Sequence, residues 1–93
     1  STNKNTVLIT EYLNEPSLYA NMKIKYWQVG VEVQIFYKLS GDDFQNHEIE
    51  LAKLFNNDDW EIDTSRNRIK DTDTKQWTKV FYFSKILKVK EGI

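Results

Sequence analysis

Hydrophobic and polar positions alternate most clearly between Val29 and Lys38. Val31, Val33, Ile35 and Tyr37 share one parity, while Glu32, Gln34, Phe36 and Lys38 share the other. A period of two is that of a strand with a buried face. Strand character begins further upstream, around Lys23 to Trp27. Gly30 marks a bend or bulge within it, since glycine tolerates unusual dihedrals; two shorter paired segments fit the same pattern. Ahead of this, Val7-Leu8-Ile9-Thr10 predicts a short strand reaching towards Tyr12. Asn14-Glu15-Pro16-Ser17 breaks it, because Pro16 cannot donate to a ladder and restricts its predecessor. Ser17 to Met22 reads either as one helical turn or as a loop packed on the sheet, and Ser1 to Thr6 as a polar, frayed or tag-like lead-in.

The period changes after Ser40-Gly41-Asp42-Asp43, a turn that opens a helix. Asp42 with Gln45 three residues on has the form of a capping box. Phe44, Glu48, Leu51, Leu54 and Phe55 approximate one helical face. Glu48 is the misfit, so the expected apolar stripe is Phe44, Leu51, Leu54 and Phe55, broadened by Ile49 or Ala52. Asn56-Asn57-Asp58-Asp59 ends the helix, and Trp60-Glu61-Ile62-Asp63 alternates as a further strand. Thr64 to Thr74 is a polar connection. Lys75 to Lys88 is a last long strand with bulky apolar groups on both parities: Trp77, Phe81 and Phe83 on one, Val80, Tyr82 and Ile86 on the other. Cover by the helix on one side and a neighbouring subunit on the other explains that, as does a broken parity near Ser84. The pattern predicts one α+β domain over residues 7–90, a small mixed or antiparallel sheet with one principal helix on one face, in the order β-β(-β)-α-β-β.

Composition narrows the function classes. The chain has 93 residues, is 40% hydrophobic and 14% aromatic, and contains no Cys and a single His. A disulfide framework and a cysteine or histidine zinc site are thereby excluded. No apolar run approaches the roughly 20 residues needed to cross a bilayer, and no leader resembles a signal peptide, which makes the cytoplasm the default expectation. Net charge is −1, which argues against broad polyanion binding, but its arrangement is uneven. Asp42, Asp43, Glu48, Glu50, Asp58, Asp59, Glu61 and Asp63 face Lys53 alone. From Arg66 onward Arg66, Arg68, Lys70, Lys75, Lys79, Lys85, Lys88 and Lys90 outnumber Asp71, Asp73 and Glu91. Such asymmetry steers self-assembly, or simply reflects an acidic solvent face and lysines that guard an edge.

Catalytic patterns are missing. Gly30, Gly41 and Gly92 are isolated, so there is no phosphate cradle, and His47 reads as a solvent-facing helical residue without a nucleophile beside it. Asp71-Thr72-Asp73 fits an Asx turn better than a calcium loop, and Asp58, Asp59 and Glu61 read as solvated acids rather than a magnesium site. No enzyme, cofactor or metal is expected. Arg66, Arg68 and Lys70, followed by Trp77, Phe81, Tyr82 and Phe83, form the candidate for single-stranded nucleic acid; the same aromatics serve equally as core. A small monomeric nucleic-acid- or protein-binding module is therefore the alternative reading.

The pieces Thr6 to Thr10, Gly30 to Lys38, the helix through Leu54, Trp60, and Asp73 to Phe83 together resemble a family of small tail-region proteins from long-tailed bacteriophages of Gram-positive bacteria. That family is similar in size and element order to tail completion, tail terminator and head–tail joining proteins. The resemblance implies a structural role in virion assembly and a homo-oligomeric ring, commonly a hexamer, contacting other tail or connector proteins. It also implies assembly in the host cytoplasm into the virion tail, and a lumen that passes phage DNA without sequence-specific binding. Members usually extend further at the N-terminus, where a helix is expected, so a missing first element is implied too. On charge grounds, the acidic helix (Glu48, Glu50) and the basic last segment (Lys85, Lys88) are the expected subunit interface.

Overall fold

Strand, strand, helix and three further strands follow one another in the computed structural model, which describes residues 4–90. They are β1 (Thr6–Ala20), β2 (Lys23–Phe36), α1 (Phe44–Asn57), β3 (Glu61–Ser65), β4 (Ile69–Lys70) and β5 (Trp77–Lys88). Every pairing is antiparallel, and the sheet order is β1-β2-β5-β3. Thr78 of β5 pairs with Phe36 of β2 and with Ile69 of β4, so β4 continues the edge that β3 begins. The α+β architecture with one helix is as the pattern predicts, and the short β4 emerges from the polar connection. Ser1–Asn3 of the expected tag-like lead-in lie outside the described residues. Thr6 is already in β1, and Asn5 accepts a hydrogen bond from the Lys38 backbone N–H at 2.9 Å.

β1 corrects the expected break at Pro16. The strand runs on to Ala20, pairing Pro16 with Trp27, and its register slips just beyond, between Pro16 and Leu18. β1 is an edge strand, where a sheet tolerates a residue without an N–H. Nor do Leu18 to Met22 form a helical turn. Ala20 pairs with Lys23, and Asn21 and Met22 between them both have positive φ, 53° and 63°. Two left-handed residues make the tight hairpin turn whose twist matches the strands.

The irregularity expected at Gly30 belongs to the facing strand. Register slips between Glu11 and Leu13, which leaves Tyr12 as the extra residue of a bulge. The Tyr12 ring then lies across Gly30, where a Cβ would stand 2.7–2.9 Å from its Cζ, Cε1 and Oη. Gly30 is thus required for a close approach, not for its dihedral freedom.

One face of the sheet carries the core. Val33, Ile35, Tyr37, Phe81 and Phe83 are buried, with Phe44, Leu51, Phe55 and Trp60 packed over them. Phe55 stacks on Phe83 at 4.2 Å between centroids and 8° between planes, and Trp60 closes on Phe55 edge-on at 5.8 Å. The helix departs from expectation in two respects. Asp43, not Asp42, is its N-cap; at φ 54° its carboxylate accepts from the Asn46 side chain at 3.0 Å rather than capping a backbone N–H, so the Asp42–Gln45 box does not form. Glu48 is the one helical residue that is buried, whereas Leu54 is 68% exposed. The helix spacing put Glu48 inward, and the sheet supplies partners that make this tolerable.

The helix covers only part of the sheet. Val7 and Ile9 of β1 stand on the helix side, opposite Ile35 and Val33, yet they are about half exposed. The molecule measures 55 × 25 × 21 Å with a radius of gyration of 16.7 Å, against about 12 Å for a globular chain of this length. Its accessible surface is 6950 Å², where roughly 5,700 Å² is usual for this mass.

Candidate functional site

Two features stand out: a buried ionic knot under the helix, and a half-buried second face and two edges of the sheet over which no helix or strand among the described residues lies. The knot joins three elements. Glu48 Oε2 accepts from the Tyr37 hydroxyl at 2.8 Å and from Arg68 Nε at 2.8 Å. Tyr37 stacks on Phe44 at 4.2 Å, and the Arg68 guanidinium lies 5.8 Å from the Phe44 centroid. Burial, then the hydrogen bond and charge of Glu48, pushes the Tyr37 phenol well up from its ordinary value. The backbone beyond β2 is held as well, since Tyr37 N–H donates to the Trp77 carbonyl and buried Gln76 donates its amide to the Tyr37 carbonyl. With Glu48 Oε2 shared between two protein donors, the knot fastens the β3–β4 segment to α1.

On the opposite face the cross-strand neighbours are Gln34 and Val80, Glu32 and Tyr82, and Phe36 and Thr78, with Thr6, Leu8 and Thr10 of β1 alongside. Tyr12 meets Tyr82 edge-on at 5.3 Å and donates its hydroxyl to Asp63 Oδ2 at 2.8 Å, while Ser84 donates to Asp63 Oδ1 at 2.8 Å. Asp63 reaches them because it is the bulge residue of β3, between Ile62 and Thr64. Gln28, Asp59, Glu61 and Lys85 surround this group in a polar notch. The Ser84 hydroxyl hydrogen-bonds Asp63 and not an imidazole, for His47 sits exposed on α1, 6.4 Å from the Tyr37 ring on the helix side. The arrangement cross-links β1, β3 and β5.

Burial, and after it the Asp63 hydrogen bond and charge, raises the Tyr12 phenol from 10 to about 12. Between those values the folded protein holds a proton that the unfolded chain releases, so stability falls as pH rises from about 10 towards 12. Ultraviolet phenolate titration of Tyr12→Phe should show one late-ionising phenol fewer, and a smaller alkaline loss of stability. An unchanged titration would disprove the assignment.

The sequence-predicted interface residues lie apart on the chain, Glu48 and Glu50 on α1 and Lys85 and Lys88 on β5. Glu48 is in the knot and is withdrawn from any surface role, because its carboxylate is buried and paired with Arg68. Glu50 is exposed and 3.6 Å from Lys53. Lys85 pairs within its own chain with Asp58 at 3.4 Å and lies over Trp60. Lys88 is exposed at the end of β5, opposite Tyr26.

The nucleic-acid candidates are likewise divided. Arg68 is committed to Glu48, Arg66 lies 5.7 Å over the Tyr82 ring, and Lys70 is exposed in β4. Of the candidate stacking aromatics, Phe81 and Phe83 are buried beneath the helix and unavailable to bases, whereas Trp77 is 41% exposed and Tyr82 half-buried. Asp71 does form the expected Asx turn, accepting from the Asp73 N–H at 3.0 Å and the Thr74 hydroxyl at 3.1 Å. Sequence reasoning missed the Tyr12–Asp63–Ser84 group, whose only signal was a lone glycine opposite a tyrosine.

Among curated proteins and solved structures nothing matches this chain. A protein family described as "Protein of unknown function (DUF806)" matches residues 1–88. That span takes in every strand and the helix, and the chain belongs to this family.

Proposed function

We propose that this chain is a structural phage tail protein, a tail terminator, completion or head–tail joining component, that works by self-association into a ring. The observation that carries the reading is the imbalance of its apolar surface. Five large hydrophobic residues are buried, while seventeen are exposed among the described residues, from Val7, Leu8 and Ile9 in β1 to Leu18, Tyr19, Met22, Ile24 and Tyr26 along the hairpin and Ile86 and Leu87 in β5. Large apolar side chains exposed side by side, as Val7, Leu8 and Ile9 are in β1, are normally covered by a neighbour. The near-neutral net charge suits a lumen that lets DNA slide without adhering. Enzymatic chemistry has no part in this reading, and the protein's place is in the virion tail after assembly in the host cytoplasm.

Absolute mass in solution across a concentration range tests it. A discrete multimer, six subunits in the simplest case, is the expected result. A monomer at every concentration would overturn autonomous ring formation. A monomer whose affinity for single-stranded nucleic acid falls with salt and with loss of Arg66 would favour the binding-module reading instead.

A further inference from the structure

We propose that the ring closes by strand pairing, β1 of one copy adding to the β3–β4 edge of the next. This rests on the assembly reading above and specifies its contact. The sheet ends in β1 on one side and in β3 and β4 on the other. Both edges are open to solvent: in β1 every residue but Leu13 and Pro16 is exposed, and residues 61–70 are exposed throughout.

Exposed edges are normally blunted by lysine, proline or a bulge. The stretch Thr6 to Glu11 has none of these, pairs with β2 in unbroken register, and presents Val7, Leu8 and Ile9 at 48–57% exposure. It is a strand fit to accept another. The opposite edge bulges at Asp63, and beyond β3 the Arg66 N–H still donates to the Val80 carbonyl at 3.1 Å, so the chain keeps alongside β5 between β3 and β4.

Charge selects the partner edge. β1 carries Glu11 and Glu15 and no cation; the segment Glu61 to Lys70 carries Glu61 and Asp63 against Arg66, Arg68 and Lys70. Pairing β1 with β1 brings carboxylates together, whereas pairing β1 with β3–β4 sets Glu11 and Glu15 beside Arg66 and Lys70. The contact is therefore heterologous, the type that generates rings when its rotation closes. Strand direction agrees. Each step along β1-β2-β5-β3 is antiparallel, so β3 runs opposite to β1, and a neighbour related by rotation offers its β1 antiparallel to β3. Alternation continues across the junction, and a closed ring leaves no edge. The surface in excess of the usual value, roughly 1,300 Å², is of the size that such junctions cover, about 800 Å² per partner in an ordinary interface.

The experiment compares the mass of the wild-type chain with Glu11→Lys/Glu15→Lys, with Arg66→Glu/Lys70→Glu, and with an equimolar mixture of the two. Circular dichroism confirms that each folds, as the exposure of all four side chains leads one to expect. Each variant alone should associate about tenfold more weakly than wild type. The mixture should recover the multimer, because each reversed edge then meets an edge of opposite sign. A wild-type multimer that both variants leave intact overturns edge pairing while the ring itself stands. A wild-type monomer overturns the ring and the edge contact together. As an independent readout, backbone amides of Thr6 to Glu11 should gain hydrogen-exchange protection on assembly; no gain in a multimer would also refute the pairing.

Discussion

Truncating Phe83 to alanine lowers the unfolding free energy by about 4 kcal/mol. Its side chain is fully buried at the middle of the central strand, stacked against Phe55 from the helix and 5.5 Å from Phe81. Among the described residues Tyr37 and Val33 are the other large side chains so completely enclosed, so the core has little further packing to collapse into the cavity. A chain this short has roughly 5–14 kcal/mol of stability in all, and the loss is a large share of it. Urea unfolding at fixed protein concentration should show a lower midpoint with an unchanged slope. Leu54→Ala is the control: at 68% exposure it should change stability by less than about 0.5 kcal/mol. Equal effects of the two substitutions would mean that the helix presents a different face to the sheet.

Glu48→Ala should cost about 3 kcal/mol, near the lower bound for breaking a buried ion pair. The substitution leaves the Tyr37 hydroxyl, buried beside α1, with only its longer contact to the Phe44 carbonyl at 3.3 Å, and the Arg68 guanidinium without its carboxylate. Arg68 is 38% exposed, so water takes over part of its solvation and keeps the cost from rising higher. Glu48→Gln retains an acceptor for Tyr37 and should fall between wild type and alanine. A double-mutant cycle with Arg68→Ala isolates the ionic part. Stability within about 0.5 kcal/mol of wild type for Glu48→Ala would show that the knot is not formed in solution.

Glu48 also shows where reading a sequence reaches its limit. Its spacing with Phe44, Leu51 and Phe55 placed it on the inward face, and its charge argued for removing it from that face. Spacing was the better guide, because the two partners that make a buried carboxylate tolerable come from 11 residues upstream and 20 downstream. The strand through Pro16 has the same origin. Proline is a breaker in a central strand and acceptable at an edge, and which strand is the edge follows from sheet order alone. The turn at Asn21 and Met22 lacked its usual glycine signal, so local chemistry had little to offer there.

By itself the sequence determined what depends on neighbours along the chain. The alternation of Val31, Val33, Ile35 and Tyr37 set the core face of β2, the change of period set the helix, and Asp71 set its own turn, since each of these is a matter of spacing and short-range hydrogen bonds. The tertiary structure alone decided that β1 is the edge, that Tyr12 lies across Gly30 to reach Asp63, that Glu48 points inward, and that one face and two edges of the sheet are left open. Those features rest on groups 11 to 51 residues apart in sequence, and no local pattern records which of them meet.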